Sequence, residues 1–229
     1  IMPSLVGSEM CIRDRALTSL TPNMIEKMKD YKIILASNSP RRKELLAGLD
    51  MPFEVKVLKG IDESYPSTLS PYETAQYIAS KKADAYRGLL ADGILILTAD
   101  TVVIAPTEDE QNDKEGRGII LGKPKDAEDA KRMLRMLSGK THHVVTGVCL
   151  TTVKEQHQFS VTTEVTFKSL SEEEIEYYVS KYKPFDKAGA YGIQEWIGYI
   201  GCTGLKGSYY NVMGLPVQRI YEELNQMSE

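Results

Sequence analysis

The chain has 229 residues, of which 42% are hydrophobic, and its formal net charge is −4. A chain of this length and apolar content can bury a full core. The negative charge excludes long nucleic acid as a partner. Small phosphorylated ligands remain possible, because they need only a local cationic cluster. The three cysteines have neither metal-ligand spacing nor the density of a disulfide scaffold, so we expect a cytoplasmic protein. No apolar run approaches the roughly 20 residues that span a bilayer, so we expect no membrane partner.

The first 15 residues, IMPSLVGSEMCIRDR, lack the periodicity of a helix or a strand. Their apolar part is too short and wrongly flanked for a signal peptide. The run resembles a translated sequencing-adapter fragment. We therefore interpret residues 1–23 as a non-native or disordered leader and expect a single domain over residues 24–229, with Met24 or Met28 as the native start.

A strand, a turn and a helix are predicted in the run YKIILASNSPRRKELLAGL at residues 31–49. Residues 32–35 form a short apolar run suited to a buried strand, and residues 43–49 have the spacing and composition of a helix. Ser39 is a natural N-cap, and Pro40 fits the first helical position, where its missing N–H costs nothing. The free backbone donors at this end of the helix favour an anion.

Two arginines, Arg41 and Arg42, follow in the first helical turn, where a cation opposes the helix dipole. A phosphate would explain them, because guanidinium groups bind phosphate oxygens in a bidentate manner. A capped helix with two solvated arginines would explain them too. Both interpretations stay open on this segment alone.

Hydrophobic periodicity and turn residues predict the remaining elements. In chain order these are a strand at 53–58, a helix at 71–90, a strand at 93–105, a hairpin loop at 106–118, a helix at 127–137, strands at 142–152 and 158–167, a helix at 171–181 and a closing helix at 216–225. Strands and helices alternate early, and an antiparallel pair follows. We therefore predict an α/β fold with an elongated mixed β-sheet, helices on both faces and two lobes around a cleft.

Asp100 is the charged residue that the pattern singles out. It lies in the middle of ILILTADTVVIA, the most hydrophobic stretch, where a carboxylate is costly unless it is paired, hydrogen-bonded or bound to a metal. Glu63 follows Asp62 in a turn, and paired acids in a turn are usually solvated. Lys82 fits an ordinary helix surface. Residue chemistry alone therefore predicts a functional role for Asp100.

Six motifs occur together in one order along the chain. They are ASNSPRR at 36–42, TADTVV at 98–103, GKP at 122–124, SGKTHHVVTGV at 138–148, AGAYGIQ at 188–194 and GSYYNVMGLP at 207–216. Because of these motifs the chain resembles the Maf family of nucleoside triphosphate pyrophosphatases. The resemblance extends from Tyr31 to the final helix. Within the family the chain is most similar to the branch that hydrolyses dTTP and UTP.

The resemblance implies a catalytic domain with the architecture of inosine triphosphate pyrophosphatase, commonly a homodimer. It makes Asp100 the proton acceptor and, with Glu63, a ligand of a divalent cation, Mg²⁺ or Mn²⁺. Carboxylates are the hard oxygen ligands that such ions prefer. The positions that match triphosphate ligands are Ser37, Arg41, Arg42, Lys82 and Lys123. The positions that match determinants of substrate choice are Arg41, Thr101 and Gln194.

Two alternatives remain at this stage. The first is a different enzyme of the same fold, which would prefer 7-methyl-GTP, as the sister branch of the family does, or other modified nucleotides in a house-cleaning role. We expect the sister branch to have Trp at position 41 and Glu at position 194, whereas this chain has Arg41 and Gln194. The amide of Gln194 both donates and accepts, which suits the edge of thymine or uracil. The other alternative is a regulatory protein of septum formation and division arrest.

The chain departs from the family pattern at Glu195, where the family more often has Gly. This departure leaves the details of base selection open.

Overall fold

The computed structural model describes residues 31–107 and 118–227. The leader predicted at residues 1–23, both proposed start methionines and most of the loop predicted at 106–118 lie outside the described residues. Within the described ranges, no helix is long and apolar enough to cross a bilayer. A mixed β-sheet with helices packed on it confirms the predicted fold class.

The described strands form one sheet of seven. They are β1 (Lys32–Leu35), β2 (Phe53–Val55), β3 (Ile94–Ala105), β4 (Ile119–Leu121), β5 (Thr141–Thr151), β6 (Gln156–Phe167) and β7 (Cys202–Lys206). The order across the sheet is β2-β1-β3-β5-β6-β7, with β4 also paired to β3. β1 runs parallel to β2 and to β3, and every other pair is antiparallel. This matches the predicted sequence of interleaved elements followed by an antiparallel portion.

The helices that pack on the sheet are numbered in chain order. They are α1 (Pro40–Ala47), α2 (Pro71–Ala85), α3 (Ala127–Leu137), α4 (Glu172–Tyr182), α5 (Trp196–Gly201), α6 (Tyr209–Met213) and α7 (Val217–Met227). α4 begins with the capping box between Ser171 and Glu174 that the sequence predicts. α1 begins at Pro40 behind the Ser39 cap, which confirms the predicted helix start.

Two predicted elements are shorter than expected. The strand predicted at 53–58 ends at Val55, and the helix predicted at 71–90 ends at Ala85. Tyr86 follows the helix and is buried, and its hydroxyl donates to the Lys56 carbonyl and accepts from the Leu58 N–H, each at 2.9 Å. After β2 the Lys56 N–H still donates to the Leu35 carbonyl of β1 at 3.2 Å, and the Tyr86 hydroxyl then holds the chain from Lys56 to Leu58.

The elements that the sequence did not predict are all short. β4, β7, α5 and α6 have three to six residues each, and segments of this length gain most of their stability from tertiary contacts. β4 pairs with β3 and β7 pairs with β6, and each pairing adds a strand to an edge. Local periodicity carries little signal for such pieces.

Two separate cores lie on one face of β3. Leu95 and Leu97 belong to the core that contains residues of α1 and α7, whereas Val103 and Ala105 belong to the core that contains residues of α3 and α4. Thr101 lies between them on the same face, because side chains two residues apart share a face of a strand. The interval between the two cores is where a polar pocket can open beside β3, in agreement with the predicted two lobes around a cleft.

α2 packs on the opposite face of the sheet, and its backbone lies very close to the backbone of β5. A Cβ atom on Gly147 of β5 would lie 2.3 Å from the backbone of Ala75 and of Gln76, so only glycine allows α2 to lie this close. Gly147 is the cross-strand partner of Asp100. The close approach therefore brings the cationic side of α2 to the carboxylate in the central strand, and Lys82 lies within reach of Asp100.

Candidate active site

The site begins with a break in strand pairing along β3. β5 occupies one edge of β3 from Ile96 to Ile104. On the other edge, β1 pairs with residues 94–97 and β4 with residues 103–105. In the described part of the chain, residues 98–102 therefore face no strand on that edge. The segments that leave β1 and β4 enter this gap, and backbone groups there need other partners.

Arg42 fills the gap. Its guanidinium donates from Nη1 to the Ala99 carbonyl at 2.7 Å, from Nε to the Gly214 carbonyl at 2.8 Å and from Nη2 to Thr101 Oγ1 at 3.0 Å. Burial lowers the pKa of Arg42 from its ordinary value, and the nearby Asp100 carboxylate opposes that shift. Three of the five N–H donors of the side chain are thus bound to protein. The prediction that Arg42 also holds a phosphate depends on the other two.

The turn between β1 and α1 has the form that the sequence predicts. Ser37 is buried, and its Oγ accepts from the Ser39 N–H at 3.2 Å. Ser39 Oγ in turn accepts from the Arg42 N–H at 3.4 Å and caps the helix. The Ser37 hydroxyl lies on the wall of a pocket at the carboxyl end of β1. A helix start of this kind presents backbone donors and favours an anionic group.

Two carboxylates share one ammonium group at the opposite side of the gap. Lys82 Nζ lies 2.7 Å from Asp100 Oδ1 and 3.1 Å from Glu63 Oε1. The Lys82 and Asp100 side chains are 14% and 15% exposed, so the cost of burying each charge is offset by the other. The partly buried carboxylate that the sequence singled out therefore has a specific partner, and Glu63 is not merely solvated.

This pair of carboxylates fits a magnesium-like ion only in part. Among residues 31–107 and 118–227, no three His, Cys, Asp or Glu side chains are grouped closely enough to hold a metal ion. Mg²⁺ in proteins is often held by one or two carboxylates, with substrate phosphates and water supplying the other ligands. The position of Lys82 Nζ between Glu63 and Asp100 indicates that a cation is favoured there. Glu63 and Asp100 could therefore hold a divalent ion that a nucleotide also binds.

A second ionic network lies on the far wall of the pocket, and the sequence did not predict it. Arg41 Nη1 donates to Asp186 Oδ2 at 2.7 Å, and Lys187 Nζ donates to Asp186 Oδ1 at 2.8 Å. Partial burial raises the pKa of Asp186, but the hydrogen bonds from Lys187 and Arg41 outweigh it and bring the pKa to about 2. Asp186 and Lys187 directly precede the AGAYGIQ motif, and that adjacency was the one signal in the sequence.

All nine predicted site residues line one pocket of about 650 Å³, a volume typical of ligand-binding clefts. Thr101 Oγ1 accepts from Arg42 and shares a hydrogen bond with Thr146 Oγ1 at 2.9 Å, so the Thr101 hydroxyl is bound within the protein. Lys123 follows β4 and is exposed. Gln194 Oε1 is buried and has no hydrogen-bond partner among the described residues. The pocket thus has a cationic part and a buried amide acceptor.

Comparison with known proteins decides the family. The family model described as Maf-like protein matches residues 32–227. The chain belongs to the Maf family. A protein of Phocaeicola vulgatus named dTTP/UTP pyrophosphatase is 58% identical over 204 residues, which are 89% of this chain and 100% of that protein. A protein of the same name from Porphyromonas gingivalis is 53% identical over 208 residues, which are 90% of this chain and 99% of that one.

A solved structure was also found to be similar to this Maf family chain. It is the Ham1 protein of Staphylococcus aureus, with a TM-score of 0.44 and 17% sequence identity over 86% of this chain and 99% of that chain.

The two neighbouring arginines of this Maf family site are expected to behave differently when replaced. Arg42→Met leaves the carbonyls of two buried residues, Ala99 and Gly214, without this donor, while Thr101 Oγ1 keeps its bond to Thr146. Each unsatisfied carbonyl costs about 1–3 kcal/mol, so the free energy of unfolding falls clearly. Arg41→Met removes one exposed ion pair, which contributes little. The check is thermal and denaturant unfolding of both variants beside the wild type. Equal stability of the two variants would contradict the role of Arg42 in closing the sheet edge.

Proposed function

We propose that this protein hydrolyses dTTP and UTP to the nucleoside monophosphate and pyrophosphate. The observation that carries the proposal is that all nine residues expected of such an enzyme line one pocket, although they come from segments as distant as Ser37 and Gln194. The names of the relatives from Phocaeicola vulgatus and Porphyromonas gingivalis support the same activity. They favour it over the two alternatives drawn from the sequence.

The cationic part of the pocket suits a triphosphate. Arg41, Lys82 and Lys123 line it together with the Ser37 hydroxyl and the start of α1. Guanidinium and ammonium groups stabilise negative charge that develops as a phosphoanhydride bond breaks. Arg42 contributes fixed positive charge and holds the backbone of β3 in place, because three of its donors are bound to protein. The nucleotide is thereby oriented with its phosphates toward Asp100.

The reaction requires that water attacks the α-phosphorus while the bond to the oxygen that bridges the α- and β-phosphates breaks. Asp100 takes the proton from the attacking water, and the leaving pyrophosphate departs with the bridging oxygen. A divalent ion bound by Glu63 and Asp100 would supply neutralisation of phosphate charge. Lys82 lies between both carboxylates and holds the catalytic carboxylate in position. The base of the mechanism and the cations that would receive the leaving group thus line the same pocket.

The base-reading part of the pocket is assigned to Gln194. Its buried Oε1 accepts from no described protein group, whereas the N3–H of uracil or thymine is a donor. Its amide N–H can donate to a neighbouring carbonyl of the same base. Arg41 and Gln194 both differ from the residues expected in the branch that prefers 7-methyl-GTP. Substrate choice therefore falls on the pyrimidine side.

The proposal is tested with a nucleotide panel. Purified protein is incubated with dTTP, UTP, CTP, GTP and 7-methyl-GTP, with Mg²⁺ or Mn²⁺, and the release of pyrophosphate and of orthophosphate is measured separately. We expect pyrophosphate as the product, with the highest kcat/KM for dTTP and UTP. Release of orthophosphate, or a preference for 7-methyl-GTP, would overturn the proposal.

A further inference from the structure

One hydroxyl holds both ends of the turn that carries Gln194. Tyr178 Oη accepts from the Gly192 N–H at 3.0 Å and donates to the Glu195 carboxylate. The turn is also closed along the backbone, where the Glu195 N–H donates to the Gly192 carbonyl at 2.9 Å. The Tyr178 side chain is fully buried, and burial together with Glu195 raises its pKa, so it stays a hydrogen-bond donor. The turn is thus fixed by a group from α4.

Glu195 continues into the ionic network on the same wall. Lys187 Nζ lies 3.0 Å from Glu195 Oε1 and also donates to Asp186, which accepts from Arg41. Lys187 is 8% exposed, so its ammonium group has little freedom to turn away from its two carboxylates. An unbroken series of charged contacts therefore leads from Arg41 in α1 to Glu195, the residue next to Gln194.

Gly192 allows these side chains to meet. A Cβ atom at this position would lie 3.0 Å from Glu195 Cδ, 3.1 Å from Lys187 Cε and 3.2 Å from Gln194 Nε2. The Glu195 carboxylate, the Lys187 stem and the Gln194 amide are therefore packed over the same glycine. The Glu195 carboxylate and the Gln194 amide thus both lie against Gly192, on the side where its Cβ would be.

We infer that Glu195 is a positioning residue for base selection, which acts through Tyr178 and Lys187 and couples the Gln194 amide to Arg41. The inference rests on the proposed function in that it takes a nucleotide base as the group that Gln194 contacts. Glu195 itself touches no phosphate, because its carboxylate is bound to Tyr178 and Lys187. Its loss should loosen the turn and let the amide rotate, and a rotated amide presents its donor and acceptor to cytosine as readily as to uracil.

The test measures binding, so that it does not depend on turnover. Affinities for UTP and CTP are measured by calorimetry in metal-free buffer for the wild type, Glu195→Gln, Asp186→Asn and the double variant. We expect the preference for UTP over CTP to fall by about threefold to tenfold in each single variant. In the double variant it should fall no further than in the more affected single variant, because both substitutions interrupt one network.

A preference that stays at the wild-type value in Glu195→Gln, or losses that multiply in the double variant, would overturn the inference. Glu172→Gln is the matched control, since it breaks an ion pair with Arg135 on the surface and should leave the preference unchanged. If Glu195→Gln does not fold, Tyr178→Phe replaces it, because it removes only the hydroxyl that joins Gly192 to Glu195. Failure of the proposed function would instead appear in the wild type, as absence of pyrophosphate release.

Discussion

Asp100→Asn should fold like the wild type and lose kcat for pyrophosphate release by about 10²–10⁴-fold, the usual contribution of a positioned proton acceptor. The amide has nearly the same shape as the carboxylate but takes no proton from water and offers a divalent ion no full charge. Lys82 keeps a partner in this variant, because Glu63 Oε1 lies 3.1 Å from its Nζ. The fold should therefore tolerate the change. The measurement is single-turnover release of pyrophosphate from UTP, with the melting temperature recorded for each preparation.

Asp62→Asn is the matched control for this variant. It removes a carboxylate paired at 2.6 Å with Lys81, the residue before Lys82 on α2, but Asp62 is exposed and lies outside the pocket lining. We expect its turnover to match the wild type. If Asp100→Asn instead lowered the melting temperature and kept turnover per folded molecule, Asp100 would be a structural carboxylate and the proposed mechanism would be wrong.

Gln194→Glu should lower kcat/KM for dTTP and UTP by roughly tenfold to a hundredfold. The amide both donates and accepts, whereas an ionised carboxylate only accepts, so a base carbonyl would face a carboxylate without a donor. An unmatched buried pair of this kind costs about 1–3 kcal/mol. Guanine presents two adjacent donors to the same carboxylate, so activity toward GTP should fall less or rise. Arg41 remains, and we therefore expect relaxed discrimination without a full switch.

The comparison uses kcat/KM for dTTP, UTP, GTP and 7-methyl-GTP on wild type and variant. Gln158→Glu introduces the same change at an exposed position of β6, away from the pocket, and should leave all four values unchanged. An equal fall for all four nucleotides in Gln194→Glu would show that Gln194 supports the turn without reading the base.

Local sequence signals predicted the elements whose stability has a local origin. The Ser39 cap with Pro40 marks the start of α1, and the capping box of Ser171 and Glu174 marks α4. Long periodic segments such as β3 and α3 were predicted to within one residue. Each of these depends on residues within one or two turns of each other, so composition and spacing contain the information.

Contacts between distant segments were not predictable in the same way. The partners of Arg42 are Ala99, Thr101 and Gly214, and nothing in the spacing of these residues indicates that one guanidinium replaces a missing strand. The network of Asp186 and Lys187 went unpredicted for a related reason, because its meaning depends on Arg41, 145 residues away in the chain. Such interactions exist only once the sheet has brought the segments together.

The sequence by itself determined the family, the central strand with its costly carboxylate at Asp100 and the set of nine residues that could meet a nucleotide. Only the tertiary structure decided which contacts the side chains of those residues make within the protein. It placed Lys82 between Glu63 and Asp100, bound the Thr101 hydroxyl to its neighbours and left the Gln194 acceptor buried without a partner among the described residues. The reason is physical: the value of a charge or a hydrogen-bonding group depends on its burial and on its neighbours, and both are set when β1, β3 and β4 join around the gap.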